Sequence, residues 1–350
     1  DSAALGKGTR NSFTNGVFQQ GNNYMINGID ANDPYTHSAS SVRGSGVGTP
    51  SVESIQEFKV QTGLYDASYG RNAGASVAIV TRSGGSTYHG GVYEFFRNEV
   101  LNSNNFFFNS VGKSRPILRQ NQFGGTFGGP VLKNKLFFFT SYEGTRQLNG
   151  ASASSTRQLV LPPVPQDRSA ASLGAVFGGQ TGARGGLAIA PNGSNIHAVA
   201  LNLLNYKLPN GEFLLPSPQR SGPGVNYALS IPDSFDGDQF NVNFDYEVSG
   251  NNRLAWKYFF ATSSQDNGLV GQNNIPGFPA TTEFGNQNVA LADTHIFGSA
   301  MVNEVRIGYA RNRRFNTGTY ALEDADVGIF RSNQAQYPGF PATIIPDGYN

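Results

Sequence analysis

The sequence contains no cysteine among its 350 residues, so it can form neither a disulfide framework nor a thiolate metal site. It also lacks any run approaching the ~20 apolar residues of a membrane-spanning helix. Charged residues are scarce, at 14%, and the net charge of +1 argues against a nucleic-acid-binding surface. A membrane role for this chain would therefore have to rest on β-strands.

Glycine and aromatic residues are abundant, with 44 Gly, 26 Phe and 15 Tyr. A soluble domain normally carries more charge, and a disordered chain carries fewer aromatic residues. A transmembrane barrel wall accounts for both features, because it turns apolar rings toward lipid and neutral polar side chains toward a wet interior.

The clearest strand runs from Phe240 to Val248, where aromatic and aliphatic residues alternate with Asn, Asp and Glu. This period of two gives one apolar face and one polar face. A soluble sandwich gives the same alternation, so the connectors have to decide between the two folds. Seven segments are predicted strands: 86–97, 119–129, 135–146, 236–248, 253–264, 284–297 and 302–314.

The connectors between these strands alternate in length. Short turns are predicted at 131–134, 249–252 and 298–301, and long loops at 98–118, 147–235 and 265–283. Strands of about a dozen residues suffice to cross a bilayer when tilted. Tight turns at one rim and long loops at the other are typical of transmembrane barrels, with the long loops facing outward.

Residues 1–83 have a different character, with helix, strand and glycine-rich loop signals mixed. A strand over 23–29 ends in an Asn27-Gly28 turn, and residues 30–48 form a polar loop. Ser51 is a candidate N-cap for a short helix over 51–57. With further strands at 58–61 and 75–82, this region is predicted to be a small α+β unit.

Several of these segments resemble the plug domain of TonB-dependent outer-membrane transporters. They are Tyr24 to Asp30 (YMINGID), Ser51 to Val60 (SVESIQEFKV), Tyr69-Gly70-Arg71 with Gly74, and Ile79 to Gly84 (IVTRSG). The segments Asn121 to Pro130 (NQFGGTFGGP) and Lys135 to Gly144 (KLFFFTSYEG) are similar to the first barrel strands of the Oar-like branch of that family. The resemblance covers residues 23 to about 147.

The resemblance implies a plug, residues 1–83 and incomplete at its N-terminus, lodged in a barrel of ~22 strands. Residues 84–350 would be the first part of that barrel, with an extracellular loop at 147–235. The expected fold class is all-β with a small α+β plug, in which about seven strands form a partial, open antiparallel barrel. The chain is thus expected to be a fragment.

The function that the resemblance implies is active import of a nutrient ligand across the bacterial outer membrane. The energy would come through TonB, by a segment absent from this sequence, and the ligand would bind to the extracellular loops and the plug apex. Two alternatives remain open: an outer-membrane adhesion or interaction protein of the same architecture, and a soluble secreted carbohydrate-binding β protein.

Ligand contacts are predicted in the polar loop after the Asn27-Gly28 turn, at Tyr35, His37 and Arg43. The plug motif comprises Asn27, Gly28, Asp30, Tyr69, Gly70, Arg71 and Gly74. For Asn27, Gly28 and Asp30, the backbone geometry of a turn is a sufficient explanation of the residue type.

Charges within strands should face the lumen, because Arg or Lys on the lipid face costs roughly 2–4 kcal/mol. These residues are Glu94, Arg97, Glu143, Asp245, Glu247, Lys257, Glu304 and Arg306.

Arg311, Arg313 and Arg314 cluster near the outer end of the last predicted strand, where they are candidates for binding lipopolysaccharide phosphates. A solvated loop base is the competing interpretation. The four histidines are far apart in sequence, and no metal-binding, dinucleotide-binding or nucleophile motif occurs. We therefore predict no catalytic residues, metal site or cofactor.

Overall fold

The computed structural model describes residues 14–17, 21–32, 49–63, 73–152, 154–182, 185–269, 275–318, 321–333 and 336. Two sheets organise these residues: a four-stranded N-terminal sheet and a seven-stranded wall sheet. A third, two-stranded sheet belongs to the long connector between two wall strands.

The N-terminal sheet consists of β1 (Asn23–Ile26), β2 (Ile29–Asp30), β3 (Ile55–Gln61) and β4 (Ser76–Thr81), in the order β2-β1-β4-β3. β1 and β4 are parallel, and the other pairs are antiparallel. Five buried side chains form its core. They are Ile26, Ala31, Ala75, Val77 and Ile79.

The prediction of a helix over 51–57 is wrong, because the structure has only a single helical turn there. A 3₁₀ turn spans Val52–Ser54, and the side chain of Ser51 makes no capping bond. Ile55 already begins β3, whose residues pair antiparallel with β4. β-branched and aromatic residues favour such pairing, so the sheet overrides the local helix-start signal.

The wall sheet confirms the seven predicted strands, which pair antiparallel in chain order from β5 to β13 with β5 and β13 at the edges. The sheet is therefore the partial, open antiparallel barrel that the sequence predicts. Its strands are β5 (His89–Asn98), β6 (Leu118–Leu132), β7 (Leu136–Asn149), β10 (Asp233–Ser249), β11 (Asn252–Asn267), β12 (Ala280–Ile296) and β13 (Val302–Gly318).

The two ends of the wall sheet differ, as predicted from the connectors. Tight connections at 133–135, 250–251 and 297–301 lie at one end, here called the turn end. The connections 99–117, 150–232 and 268–279 lie at the other, the loop end. The first of these loops contains the short helix α1 (Phe106–Ser110).

The connector 150–232 is folded, whereas its composition predicted a loop with one helical piece at 195–204. It contains β8 (Thr156–Leu159), α2 (Ala170–Phe177), α3 (Ala198–Asn205) and β9 (Tyr227–Ser230). Together with residues 268–269, 275–279 and 321–333 we call it the outer cap. One buried cluster unites the three segments: Leu161, Val164, Leu173, Leu208, Leu214, Leu215, Tyr227, Ile275, Leu322 and Val327.

Asp233 fastens the outer cap to the wall sheet. Its fully buried carboxylate accepts hydrogen bonds from the hydroxyls of Ser154 and Ser155 at 2.7 and 2.8 Å, and from the backbone N–H of Gly268 at 3.0 Å. Burial lowers the pKa of the Arg157 guanidinium, a shift that the Asp233 carboxylate opposes. The start of β10 is therefore held to both neighbouring loops by one buried acceptor.

No helix among the described residues is long and apolar enough to cross a membrane.

Leu214→Ala should loosen the outer cap selectively, because Leu214 is almost fully buried in the cap core. A cavity of this kind costs about 2–5 kcal/mol of unfolding free energy. Limited proteolysis or hydrogen exchange of residues 150–232 should then accelerate, while β10–β13 stay protected.

The matched control is Leu187→Ala, since Leu187 is 89% exposed. Equal proteolysis rates for the two variants would show that the cap core contributes nothing to local stability.

Candidate functional site

The N-terminal sheet lies against one face of the wall sheet, which we call the inner face. Strand register assigns each wall residue to a face, because directly paired residues point to the same side. Asn243 and Lys257 are paired and both contact the N-terminal sheet. The inner face is therefore the one that carries Asn241, Asn243 and Asp245 on β10, all of them buried.

Two wall side chains hold the end of β4. The Asn243 amide donates to the hydroxyl of Thr81 at 2.9 Å and to the carbonyl of Arg82 at 2.7 Å. The Lys257 ammonium donates to the carbonyl of Thr81 at 3.0 Å. Both partners are part of the chain just before it enters the wall, so these bonds fix where β4 ends.

The Asn27-Gly28 turn meets the same region of the inner face. Asn27 and Gly28 have φ angles of 53° and 76°, the left-handed pair that a tight hairpin turn requires. The side-chain carbonyl oxygen of Asn27 accepts from the N–H and hydroxyl of Thr81, both at 3.0 Å. The Arg306 guanidinium packs directly on Gly28, and a Cβ there would displace it.

A second close approach lies beside this turn. A Cβ on Gly308 would come within 2.2 Å of the Ile29 side chain. The turn therefore docks on β13 through one cation and one glycine. The turn residues therefore act through their backbone geometry and their contact with the wall sheet, near its turn end.

The other predicted plug residues have local roles or lie elsewhere. Asp30 accepts from the backbone and side-chain amides of Asn32, each at 2.8 Å. Gly74 donates its N–H to the carbonyl of Gly21 at 2.8 Å. Six predicted residues lie outside the described part of the chain: Tyr35, His37, Arg43, Tyr69, Gly70 and Arg71.

Register places seven of the eight predicted lumen-facing charges on the inner face. They are Arg97, Glu143, Asp245, Glu247, Lys257, Glu304 and Arg306.

Glu94 lies on the outer face, contrary to the prediction. It pairs with Phe123, whose ring lies 6.3 Å from that of Tyr142 on the outer side. The same row continues to Gly144 and Asp238. Glu94 is exposed and shares this row with Asp238, another carboxylate on the outer face.

Several inner-face charges are paired near the turn end. Arg253 donates to Asp245 at 2.8 Å and lies 3.5 Å from Glu247. Arg306 pairs with Glu304 on its own strand. Because Arg253 is half-exposed, these pairs contribute less than their geometry alone suggests.

Glu143 is a buried carboxylate on the inner face, on the loop-end side of the Asn243 contacts. It accepts from the Tyr93 hydroxyl at 2.9 Å and from the Gln239 amide at 2.7 Å. Gly124 gives the Tyr93 ring its space, since a Cβ there would lie 2.5 Å from the phenol oxygen. The three side chains join β5, β7 and β10 across the inner face.

A cavity of about 350 Å³ opens beside this network, between the wall and residues 49–52 of the N-terminal region. Its lining mixes hydroxyl and amide side chains with apolar residues, and it sits on the loop-end side of the Asn243 and Lys257 contacts. Its wall residues include Gln122, Glu143, Thr145, Gln239, Ser263 and Asn286.

Neutral inner-face residues were missed as functional candidates in the sequence. Asn243 and Gln239 occupy the polar phase of the β10 alternation, which is the signal that could have identified them. Amides suit this face because they can both donate and accept hydrogen bonds without the desolvation cost of a charge.

Among the described residues, no group of three or more His, Asp or Glu side chains is placed to hold a metal ion.

The family model for an outer membrane beta barrel domain matches residues 80–350. The chain therefore belongs to this outer-membrane β-barrel family and is a bacterial outer-membrane protein. Over 148 residues it is 35% identical to the TonB-dependent transporter Oar of Myxococcus xanthus, in a match covering 39% of this chain and 13% of Oar.

Two solved structures are similar to 85% of this chain. The ferric preacinetobactin receptor BauA from Acinetobacter baumannii has a TM-score of 0.40 at 10% identity, with 40% of it covered. A mutant of the ferric enterobactin receptor PfeA from Pseudomonas aeruginosa has a TM-score of 0.38 at 12% identity, with 38% of it covered. The chain spans less than half the length of each of these relatives.

Asn243→Ala should loosen the end of β4, because it leaves the Thr81 hydroxyl and Arg82 carbonyl without their wall donor. Loss of a buried partner costs about 1–3 kcal/mol. Hydrogen exchange of the β4 amides should accelerate by about tenfold or more.

Asn303→Ala is the control, since Asn303 is exposed on the outer face of β13. The docking role of Asn243 is refuted if both variants exchange at the wild-type rate.

Proposed function

We propose that the chain is the plug and the first barrel strands of a TonB-dependent importer. In this assignment residues 1–83 are the plug, residues 84–350 belong to the barrel, and the outer cap faces the cell exterior. The observation that carries the proposal is the docking of β4 and the Asn27-Gly28 turn on a polar inner face. The partial match to Oar supports the same class.

The character of the docking contact suits a plug that moves. The N-terminal sheet has its own apolar core, so it does not depend on the wall for hydrophobic burial. Its contacts with the wall include hydrogen bonds from Asn243 and Lys257 and the packing of the Arg306 guanidinium on Gly28. Water can replace such partners as the sheet moves, so the net cost of separation is modest.

Small residues at the contact also ease movement. Gly84 passes so close to β7 that a Cβ would lie 2.2 Å from the Phe138 carbonyl oxygen. Gly308 likewise presents only backbone to Ile29. Few interlocking side chains would therefore have to change rotamer when the plug is pulled.

The ligand is proposed to bind on the loop-end side. The cavity of about 350 Å³ lies there, beside Thr49 and Pro50. The segment 33–48, with Tyr35, His37 and Arg43, directly precedes Thr49 in sequence. We propose that these three residues contact the ligand together with the residues that line the cavity.

TonB is proposed to supply the work. Force applied from the periplasm would reach the plug at the turn end, where Arg306, Lys257 and Asn243 hold it. Breaking these contacts would open a hydrated path along the inner face. The ligand is a nutrient molecule, and no covalent chemistry is required.

Adhesion or another surface interaction is the second candidate. The outer cap supports it, because a connector with its own hydrophobic core can present a fixed surface to a macromolecule. This alternative predicts binding without energy-dependent accumulation. An uptake measurement therefore distinguishes import from adhesion.

A reversible cross-link tests whether plug movement is needed. The sequence contains no cysteine, so Thr81→Cys with Asn243→Cys places a unique thiol pair within this region of the full-length receptor. A short reducible thiol cross-linker should abolish uptake of the cognate nutrient and leave surface binding intact. Reduction should restore uptake.

Each single cysteine variant, treated in the same way, is the control. Uptake that continues through the cross-linked double variant, or that persists without TonB, would rule out the import mechanism.

Tyr35→Ala combined with Arg43→Ala should weaken ligand binding to the intact receptor by about tenfold or more, because hot-spot aromatic and Arg contacts are each worth over 1 kcal/mol. Equilibrium binding to whole cells is the measurement. Lys59→Ala, an exposed change on β3, is the control. Unchanged affinity in the double variant would remove this loop from the binding site.

A further inference from the structure

The cavity between the wall sheet and residues 49–52 is rich in uncharged polar groups. The wall contributes the side chains of Gln122, Thr145, Gln239, Ser263 and Asn286, and the N-terminal region contributes Thr49 and Ser51. Hydroxyl and amide groups of this kind both donate and accept hydrogen bonds. The cavity volume of about 350 Å³ lies within the range of about 300–1,000 Å³ that is usual for small-molecule sites.

The cavity offers no cation to an anionic ligand. Among the lining residues that the structure describes there is no Lys, Arg or His. The lining includes the carboxylates of Asp238 and Glu143, and Asp238 is paired with Arg146 on the outer face. Both oxygens of Glu143 accept hydrogen bonds within the wall, from Tyr93 and Gln239. An anion in the cavity would therefore lie near a carboxylate without a counter-ion, which is unfavourable.

Part of the lining is apolar. Pro50 and Val52 come from the N-terminal region, and Phe235 and Ala261 come from the wall. The Phe235 ring packs against Gly237, where a Cβ would lie 2.9 Å from two ring carbons. A sugar ring has C–H groups on its faces and hydroxyls around its rim. An apolar surface beside amide and hydroxyl groups matches both parts of such a molecule.

Buried amides continue the polar lining toward the turn end. Asn241 and Asn288 lie in one row of the inner face, each paired with Phe259. They follow Gln239 and Asn286, the cavity residues of the same strands, by one inward-facing position. Asn288 is 4% exposed, and neither polar atom of its amide makes a hydrogen bond within the described part of the chain. The side-chain oxygen of Asn241 is also buried without a partner there.

These two amides point to a ligand that can both donate and accept. A buried polar group without a partner lowers stability, so the Asn288 amide does not serve the fold. A hydroxyl can accept from the Asn288 amide nitrogen and can donate to its oxygen or to that of Asn241. A molecule with many hydroxyls would therefore satisfy this row as it moves along the inner face.

We propose that the cavity binds an uncharged saccharide, an inference that rests on the proposed import function. The saccharide hydroxyls bind the amides of Gln239 and Asn286, and one sugar ring packs against Phe235. Asn241 and Asn288 form the next contact, which the saccharide reaches when the plug moves.

The lining chemistry distinguishes this ligand from the alternatives. An anionic ferric chelate or the terminal carboxylate of a peptide would require a cation that the described lining lacks. An apolar ligand would leave the amides of Gln239 and Asn286 without partners. A neutral saccharide has neither disadvantage.

The first test measures equilibrium binding to the full-length receptor in detergent, which does not require TonB. The probes are neutral di- to hexasaccharides of glucose, galactose and mannose, together with ferric citrate. The tightest-binding oligosaccharide is then compared with its own derivative in which the primary hydroxyls are oxidised to carboxylates. The oxidised derivative should bind about tenfold more weakly or worse, because its charge is uncompensated. Equal or tighter binding of the oxidised derivative or of ferric citrate would overturn the proposal, as would the absence of binding by every neutral probe.

The second test changes the amides. Asn286→Ala should weaken binding of the same neutral oligosaccharide by about five- to tenfold, the usual contribution of one neutral hydrogen bond. Gln287→Ala is the matched control, because Gln287 is the next residue of β12 and faces the outer side. Wild-type affinity in Asn286→Ala would contradict the assignment.

Asn288→Ala separates a ligand contact from a structural role. Because the Asn288 amide has no protein partner in the described structure, the melting temperature should stay at the wild-type value while uptake of the oligosaccharide slows. A lowered melting temperature with unchanged uptake would show that Asn288 acts in the fold and would remove it from the path.

Binding and uptake also distinguish this inference from the import function. A receptor that binds a neutral oligosaccharide but does not accumulate it with TonB would support saccharide recognition and reject import. A receptor that imports ferric citrate with TonB and binds no neutral oligosaccharide would reject the saccharide and support import.

Discussion

In a hydrocarbon layer every backbone N–H and C=O must find its partner within the protein, and the wall sheet is built around that requirement. Its strands meet it by pairing antiparallel in chain order over long, nearly uninterrupted registers. Once the backbone is paired in this way, successive side chains must point to opposite faces. The division into an apolar outer face and a polar inner face follows directly.

The polar inner face determines how the N-terminal sheet can bind. Apolar packing against Asn241, Asn243 and Lys257 would leave buried polar groups without partners, so Asn243 and Lys257 instead donate hydrogen bonds to the Thr81 hydroxyl and to the carbonyls of Thr81 and Arg82. The apolar side chains of the N-terminal sheet instead pack together in the core of that sheet. The outer cap follows the same rule, with a separate cluster around Leu173 and Leu214. The molecule therefore has units with separate apolar cores.

The outer face changes from apolar to polar along its strands. Pairing across β12 and β13 is set by register, and the change from Tyr309 to Arg311 on one strand coincides with the change from Val289 to Gln287 on the next. Glu94 and Asp238 are charges on the outer face of other wall strands. The position of a residue along its strand therefore matters as well as the face on which it lies.

Period-two patterning, connector lengths and turn residues were sufficient to predict the seven wall strands and their antiparallel order. These properties are local, because strand pairing between neighbours in sequence leaves little freedom. The outer cap core and the Asn243–Thr81 contact were decided only by the tertiary structure. Leu161, Ile275 and Val327 are far apart in the chain, and the contacts between Asn243 and Thr81 depend on how two sheets dock. No periodicity encodes such distances, since they arise when separate segments bury surface against one another.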